Sequence, residues 1–387
     1  MRILQFVIFF SIVLTVYSLV NYYIFSRGLR AFPSGNPLRI WYIVGFILLA
    51  SSFILGRILE KVYLSHLSDL FTWAGSFWLA AMLYFFLAVV LIDLFRLVDY
   101  FIPYLHNFKD VILISKPYLL TILIASGVFL LVLAGHLNAI SPTIRKVNIV
   151  VEKKVTERES LRIAMVSDIH LGTIVGKNRI AGIVDKINQL QADIILLAGD
   201  MVDEDLAPVI NQDLGKTLAK LKAPLGVYGV TGNHEYIGGA KQAVGYLEKH
   251  GIKILSDTAI RLFDQVYVAG REDFESRRFE GFARKSVNDI LTMLPDTGFV
   301  IMMDHQPIAI NEAVQSNVGL LLCGHTHHGQ LWPLNYLTGK IFQLSHGLKR
   351  FGNTWVYVSN GVGSWGPPVR IGNRPEIVEI TLSFQAR

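Results

Sequence analysis

Four long apolar segments precede Pro142, and a chain that carries them cannot fold as a single body in water. They run over about residues 3–25, 40–59, 71–94 and 118–140. A stretch of roughly 20 apolar residues is what a helix needs to cross the hydrocarbon core of a bilayer. Charge, Pro or Gly bounds each segment: Arg27-Gly28, Arg57 and Lys61, Arg96 and Asp99, Lys116-Pro117, and Pro142. Trp41, Tyr42, Trp73, Trp78 and Tyr118 fall near segment ends, where amphipathic rings favour the headgroup layer. The first segment has only Arg2 ahead of it and no small-x-small cleavage site, so it reads as a retained helix rather than a signal peptide. Residues 1–142 are therefore expected to be a membrane region with four transmembrane helices, making this a multi-pass cell-membrane protein.

Charge supports that division. The chain has a net charge of +6, and up to Pro142 nine Lys/Arg stand against five Asp/Glu, so +4 of the +6 lies between the apolar segments. Basic residues at membrane edges account for this better than a nucleic-acid footprint, and no nucleic-acid partner is expected. An even number of spans would put the N-terminus and the second half on one side. Arg2, Arg57, Lys61, Arg145 and Lys146 mark that side, against Arg27, Arg30, Arg39, Arg96, Lys109 and Lys116 on the other. The two sets nearly balance, so the side of the membrane is not assigned. Asp93, His136 and Asn138 lie near segment ends and read as groups that reach the headgroups.

From Thr143 the pattern changes to short apolar runs alternating with amphipathic stretches, the signature of a layered α/β domain. Residues 143–160 read as a first edge strand and a linker, and 161–387 as the domain. Strands are expected at 161–166, 193–198, 226–230, 253–255, 265–269, 299–303, 319–322, 355–359 and 377–382. Helices are expected at 177–191, 212–220, 240–250, 282–294 and 309–316.

The polar signatures recur just after the strands. Asp168 and His170 follow the first; Asp200, then Asn233 and His234, follow the next two; His305 follows Val300–Met303; His325 and His327 follow Leu320–Leu322. Ligands in α/β sheets gather outside the carboxyl ends of strands. Five loops would thus bring Asp, Asn and His to one rim. The single cysteine, Cys323, excludes a thiolate cage and an internal disulfide, and reads as a small buried hydrophobe. His234 cannot easily reach a metal that its neighbour Asn233 binds; the other seven hard or borderline ligands exceed one tetrahedral zinc and suit two divalent ions roughly 3.5–4 Å apart, for which Mn, Fe or Zn are all compatible.

The ordered set Asp-x-His, Gly-Asp-x-x-Asp, Gly-Asn-His-Glu, a His before Gln-Pro, and Gly-His-Thr-His resembles the calcineurin-like metallophosphoesterases over about residues 160–385. The tail Val358–Gly363, Gly366–Arg370 and Arg374–Ile377 is similar to the membrane-associated YaeI- and YkuE-like branch. The resemblance implies a four-layer α/β-β/α sandwich. It implies one metal on Asp168, His170, Asp200 and His327, and another on Asp200, Asn233, His305 and His325, with Asp200 shared. It also implies that His234 protonates or stabilises the leaving oxygen and that Asp203 orients it. The implied reaction is hydrolysis of a phosphodiester or pyrophosphate by in-line attack of a metal-activated hydroxide. The branch includes enzymes resembling UDP-diacylglucosamine pyrophosphatases, so an amphiphilic, lipid-linked or nucleotide-linked phosphoester is the expected substrate. The alternative is a membrane sensor or transporter-like protein whose domain binds a phosphorylated ligand without turnover.

Residue 204 is Glu where phosphoprotein phosphatases of this superfamily carry an Arg that clamps the phosphate, which argues against a protein substrate. His328, where the branch usually has Gly, reads as a cleft-lining residue, and His346 as a residue bordering the cleft. His250 reads as a charge partner at a helix C-terminus, and His66 and His106 as interfacial loop residues. Oligomeric state is not legible.

Overall fold

The computed structural model describes residues 2–102, 116–153, 155–294 and 298–385; His106 and Lys109 lie outside them. The chain divides into two compact units, Met1–Gly135 and His136–Arg387.

The first unit is helical: α1 (Arg2–Gly28), α2 (Leu38–Val62), α3 (His66–Phe101) and α4 (Pro117–Ala139), the last ending in the second unit. Among the described residues, α2, α3 and α4 are long and apolar enough to cross a membrane. They number three against the four spans expected; the first expected span, 3–25, coincides with α1, which is not among them. His66 is not in a loop, because Ser65 caps the helix and His66 opens α3. Asp93 is paired within the helical unit. It is 2.6 Å from Arg27 Nη2, 3.1 Å from Arg96 Nη1, and accepts from the Tyr23 hydroxyl at 2.7 Å.

The second unit is built on two six-stranded sheets. Its strands are β1 (Thr143–Val151), β2 (Ser160–Val166), β3 (Ile194–Ala198), β4 (Val227–Val230), β5 (Lys253–Ile254) and β6 (Thr258–Phe263). They continue as β7 (Val266–Gly270), β8 (Phe299–Met303), β9 (Leu320–Cys323), β10 (Gly347–Phe351), β11 (Thr354–Val358) and β12 (Glu376–Phe384). One sheet runs β1-β12-β2-β3-β4-β5 and the other β10-β11-β9-β8-β7-β6. β2, β3, β4 and β5 are parallel, as are β7, β8, β9 and β11.

Three buried apolar clusters show the layering. Ile163, Leu196, Val268, Ile301 and Leu322 fill the space between the sheets. Leu197 and Ile195 of the first sheet pack with Ile180, Ile183 and Ile187 of helix Lys177–Gln189. Met302 and Leu321 of the second pack with Ile290 and Ile310 of its covering helices. Strand residues alternate between faces, so neighbours such as Leu196 and Leu197 serve opposite layers. The result is the expected four-layer α/β-β/α sandwich.

Two strands were not expected, β6 and β10. Both are partly exposed hairpin edges whose mixed polar sequences lack a continuous apolar run. The expected helix at 212–220 is two short turns, Ala207–Asn211 and Gly215–Leu218, and that at 282–294 shrinks to Val287–Leu291.

Candidate metal centre

Parallel pairing puts the carboxyl ends of β2, β3 and β4 on one sheet beside those of β8 and β9 on the other. Every loop that leaves these ends carries a polar signature. The backbone turns sharply there: Asp168 (φ 53°), His170 (φ 52°), Asp200 (φ 51°), His325 (φ 71°) and His327 (φ 46°) are all left-handed without being Gly. Such conformations cost of order 1–3 kcal/mol each and persist only where the surroundings over-determine them. The bracing is visible. Asp168 N donates to Gly199 O, His170 N to Asp200 O, and Gly324 N to His305 O, all at 2.9–3.0 Å. Glu235 closes the arrangement, accepting from the backbone of Gly232 (2.7 Å), Val202 (2.8 Å) and Asp200 (3.1 Å). Gly199 (φ 86°) is required twice over, since a Cβ there would also strike the His305 ring.

All nine singled-out side chains come together. Asp168, His170 and His327 each offer a ligand atom within 4.8 Å of the others, as do Asp200, His305 and His325. His305 Nε2 lies 3.0 Å and His170 Nε2 3.9 Å from the same Asp200 Oδ2, so this oxygen stands between the two groups. His170 Nε2 and His327 Nε2 face each other at 3.0 Å, and His325 Nδ1 lies 2.7 Å from Asn233 Oδ1. His234 Nδ1 is 3.0 Å from Asp203 Oδ1, which is also 3.8 Å from His170 Nδ1.

Much of the site is buried and short of partners, while Asp203, Asn233 and His325 are half-buried. Asp168, His170, Asp200 and His305 are at most 2% exposed. Asp168 Oδ2 and His170 Nδ1 are buried without a hydrogen bond, and His305 Nε2 has only the Asp200 carboxylate. Burial and the neighbouring His305 push His325 down to about 3, leaving its ring a free lone pair. Burial would raise the Asp200 carboxyl, but His305 and His234 overrule it and hold it well below the carboxylate range. Burial would lower His234, yet Asp200 and Asp203 drive it up to about 9. Carboxylates, imidazoles and an amide oxygen with unused lone pairs, drawn to common points, fit divalent metal ions.

Three contributions had not been assigned from sequence. Arg370 is fully buried, with the Asp168 and Glu376 carboxylates near enough to act on its charge. Its guanidinium reaches Gly363 O (2.8 Å), Asn360 O (2.7 Å), Asn373 Oδ1 (3.0 Å) and His327 Nδ1 (3.0 Å). The loop that carries it is tied to residues 136–139. His136 Nδ1 lies 2.7 Å from Pro368 O, and Asn138 donates to Arg370 O (2.9 Å) and Asn373 O (2.7 Å). Both side chains thus have protein partners, which the sequence expectation did not include. Trp365 meets the His234 ring edge-on at 5.8 Å. The Gly-Asn-His-Glu motif hinted at Glu235, and the Gly366–Arg370 stretch included Arg370 without giving it a role; nothing in the linear pattern marked Trp365.

The remaining histidines fall in place. His328 and His346 pack ring to ring at 3.8 Å, and His328 Nδ1 is 3.2 Å from Ser345 Oγ, away from the ligand atoms. His250 terminates helix Ala240–Lys249, with Nδ1 2.8 Å from Tyr246 O. Cys323 is buried at the end of β9.

Comparison with known proteins follows the same lines. The profile of the calcineurin-like phosphoesterases matches residues 161–329. The chain is 32% identical to a transmembrane protein with metallophosphoesterase domain from Danio rerio, over 98% of this chain and 89% of that one. It is 29% identical to an uncharacterized metallophosphoesterase of Campylobacter jejuni, over 97% and 98%. Against the metallophosphoesterase YkuE of Bacillus subtilis it is 28% identical, over 58% and 79%.

Proposed function

Because the chain belongs to the calcineurin-like phosphoesterase family, we propose that it is a multi-pass cell-membrane enzyme that hydrolyses a phosphodiester or pyrophosphate bond at a dimetal centre. Its substrate in this reading is an amphiphilic phosphoester, lipid-linked or nucleotide-linked. The observation that carries it is the Asp200 carboxylate, set between the His170–His327 group and the His305–His325 group. Asp168, His170, Asp200 and His327 would hold one divalent ion, and Asp200, Asn233, His305 and His325 the other. Ions of Mn, Fe or Zn type bound there supply Lewis acidity and lower the pKa of water.

The chain's own residues do the rest. Asp200 offers two oxygens; Oδ1 already accepts from His234 N at 2.9 Å, which leaves Oδ2 to be shared. His234 cannot swing freely: Asp203 is beside Nδ1 and Trp365 lies against the ring edge. Its Nε2 is then the atom that would hand a proton to the leaving oxygen, with Asp203 as the positioning residue. Burial of Asp168, His170, Asp200 and His305 lowers the local dielectric and strengthens each electrostatic contact.

The test is incubation of the purified full chain and Mn²⁺ with a nucleotide-linked lipid, scored for released nucleotide. Release that depends on the metal supports the reading; cleavage of soluble diesters alone would overturn the substrate assignment. Asn233→Ala and His234→Ala separate turnover from mere ligand binding, since a sensor would keep its phenotype in both variants.

A further inference from the structure

The segment that follows the last ligand loop is exposed where apolar side chains would normally be covered. Trp332 is 47% exposed, and in helix Leu334–Ile341 no residue is buried: Tyr336 is 64%, Leu337 56% and Ile341 63% exposed. Large apolar residues scattered singly over a surface need no explanation, but a contiguous group of them does. This group adjoins the metal centre. The Phe342 ring lies 5.9 Å from His325, Gly329 packs against the start of the helix, and Trp332 N donates to Ile371 O at 2.8 Å.

Charge says what covers it. Between Glu312 and Glu376 the sequence holds no acidic residue, whereas Lys340, Lys349 and Arg350 are exposed there. The second half of the chain is otherwise nearly neutral, so an acid-free, basic and aromatic rim is a local departure. Trp and Tyr beside Leu and Ile, with Lys340 in the same helix and Lys349 and Arg350 on the next strand, is the composition of a surface that lies in the headgroup layer of an anionic bilayer. The same chain supplies helices long and apolar enough to cross one.

We infer that Trp332–Ile341 is a membrane-contacting rim, which dips into the interface of an anionic bilayer and delivers lipid-borne phosphoester to the centre beside it. The delivery clause rests on the proposed function; the bilayer contact does not.

The full chain has one cysteine, Cys323, and it is buried, so Tyr336→Cys takes an environment-sensitive fluorophore at one place. Lys249→Cys, exposed at the end of helix Ala240–Lys249, is the reference, and Leu337→Cys a second rim site. Each protein is reconstituted in phosphatidylcholine vesicles with a minority of phosphatidylglycerol, then with a nitroxide carried on the headgroup. Labels at 336 and 337 are expected to lose most of their emission while the label at 249 keeps it, and the loss should shrink when phosphatidylglycerol is omitted. If both rim labels are quenched no more than the reference, the inference is overturned. It is likewise overturned if they are blue-shifted but unquenched, because the rim is then covered by protein, either the chain's own helices or a second copy. Quenching requires no turnover, so a chain that fails to hydrolyse lipid yet quenches leaves the contact standing.

Discussion

The two units of this molecule use small residues and buried polar groups in opposite ways. In the membrane unit, glycine brings whole helices together: a Cβ on Gly75 would strike the Phe53 backbone, and one on Gly56 the Phe71–Thr72 backbone. Buried polar groups there are few and largely paired locally, as with Asn21, which donates to Tyr17 O and accepts from Trp78 Nε1. In the second unit, glycine makes room for ligand side chains, as Gly199 does for His305, Gly232 for Asp200 and Gly324 for Asp168. Its buried polar groups converge and remain short of partners. The first arrangement serves packing without a hydrophobic drive between helices. The second keeps lone pairs free for a cation.

Substitutions can break this contrast from either side. The largest effect is expected for Asp200→Asn, which removes the negative charge of the shared position. Turnover of a soluble diester should fall at least ~100-fold, with less metal retained by elemental analysis. His234→Ala should lower kcat by about 10²–10⁴-fold while metal content stays that of the parent. Loss of metal in this variant would move His234 from proton donor to ligand. Arg370→Met removes a donor beside His327 and leaves the carbonyls of Asn360 and Gly363 unpaired. Metal affinity should drop by roughly 10–100-fold and the second unit should lose a few kcal/mol, at about 1–3 kcal/mol per orphaned group. Competition with a chelator and thermal unfolding read the two losses separately. Gly75→Leu should do the reverse: it wedges α2 from α3 and lowers the melting temperature in detergent, with metal content and soluble-diester turnover retained. If Gly75→Leu emptied the metal site, the contrast between the units would fail.

Much of the site was legible because its chemistry is local. Asp168 and His170, or His325 and His327, are two apart on one loop, and each loop begins where an apolar run stops. Periodicity likewise exposed the central strands, each a nearly unbroken apolar run buried on both faces. Edge elements were harder. β6 and β10 lack such a run, and helix Leu334–Ile341 buries nothing, so no apolar stripe marks it as core-facing.

What sequence alone determined is the inventory: apolar segments that water will not accept, an alternating α/β half, and nine polar residues at strand ends whose types suit divalent ions. Tertiary structure decided which atoms meet. It set Asp200 Oδ2 between two histidine groups, turned Asp203 toward both His234 and His170, and buried Arg370 against His327 across 43 residues of chain. It also gave His136 and Asn138 backbone partners on the loop that carries Arg370. The reason is physical. Residue type and spacing fix what a segment can bury or bind, whereas a buried donor is satisfied by whichever acceptor the packed chain brings within 3 Å or so.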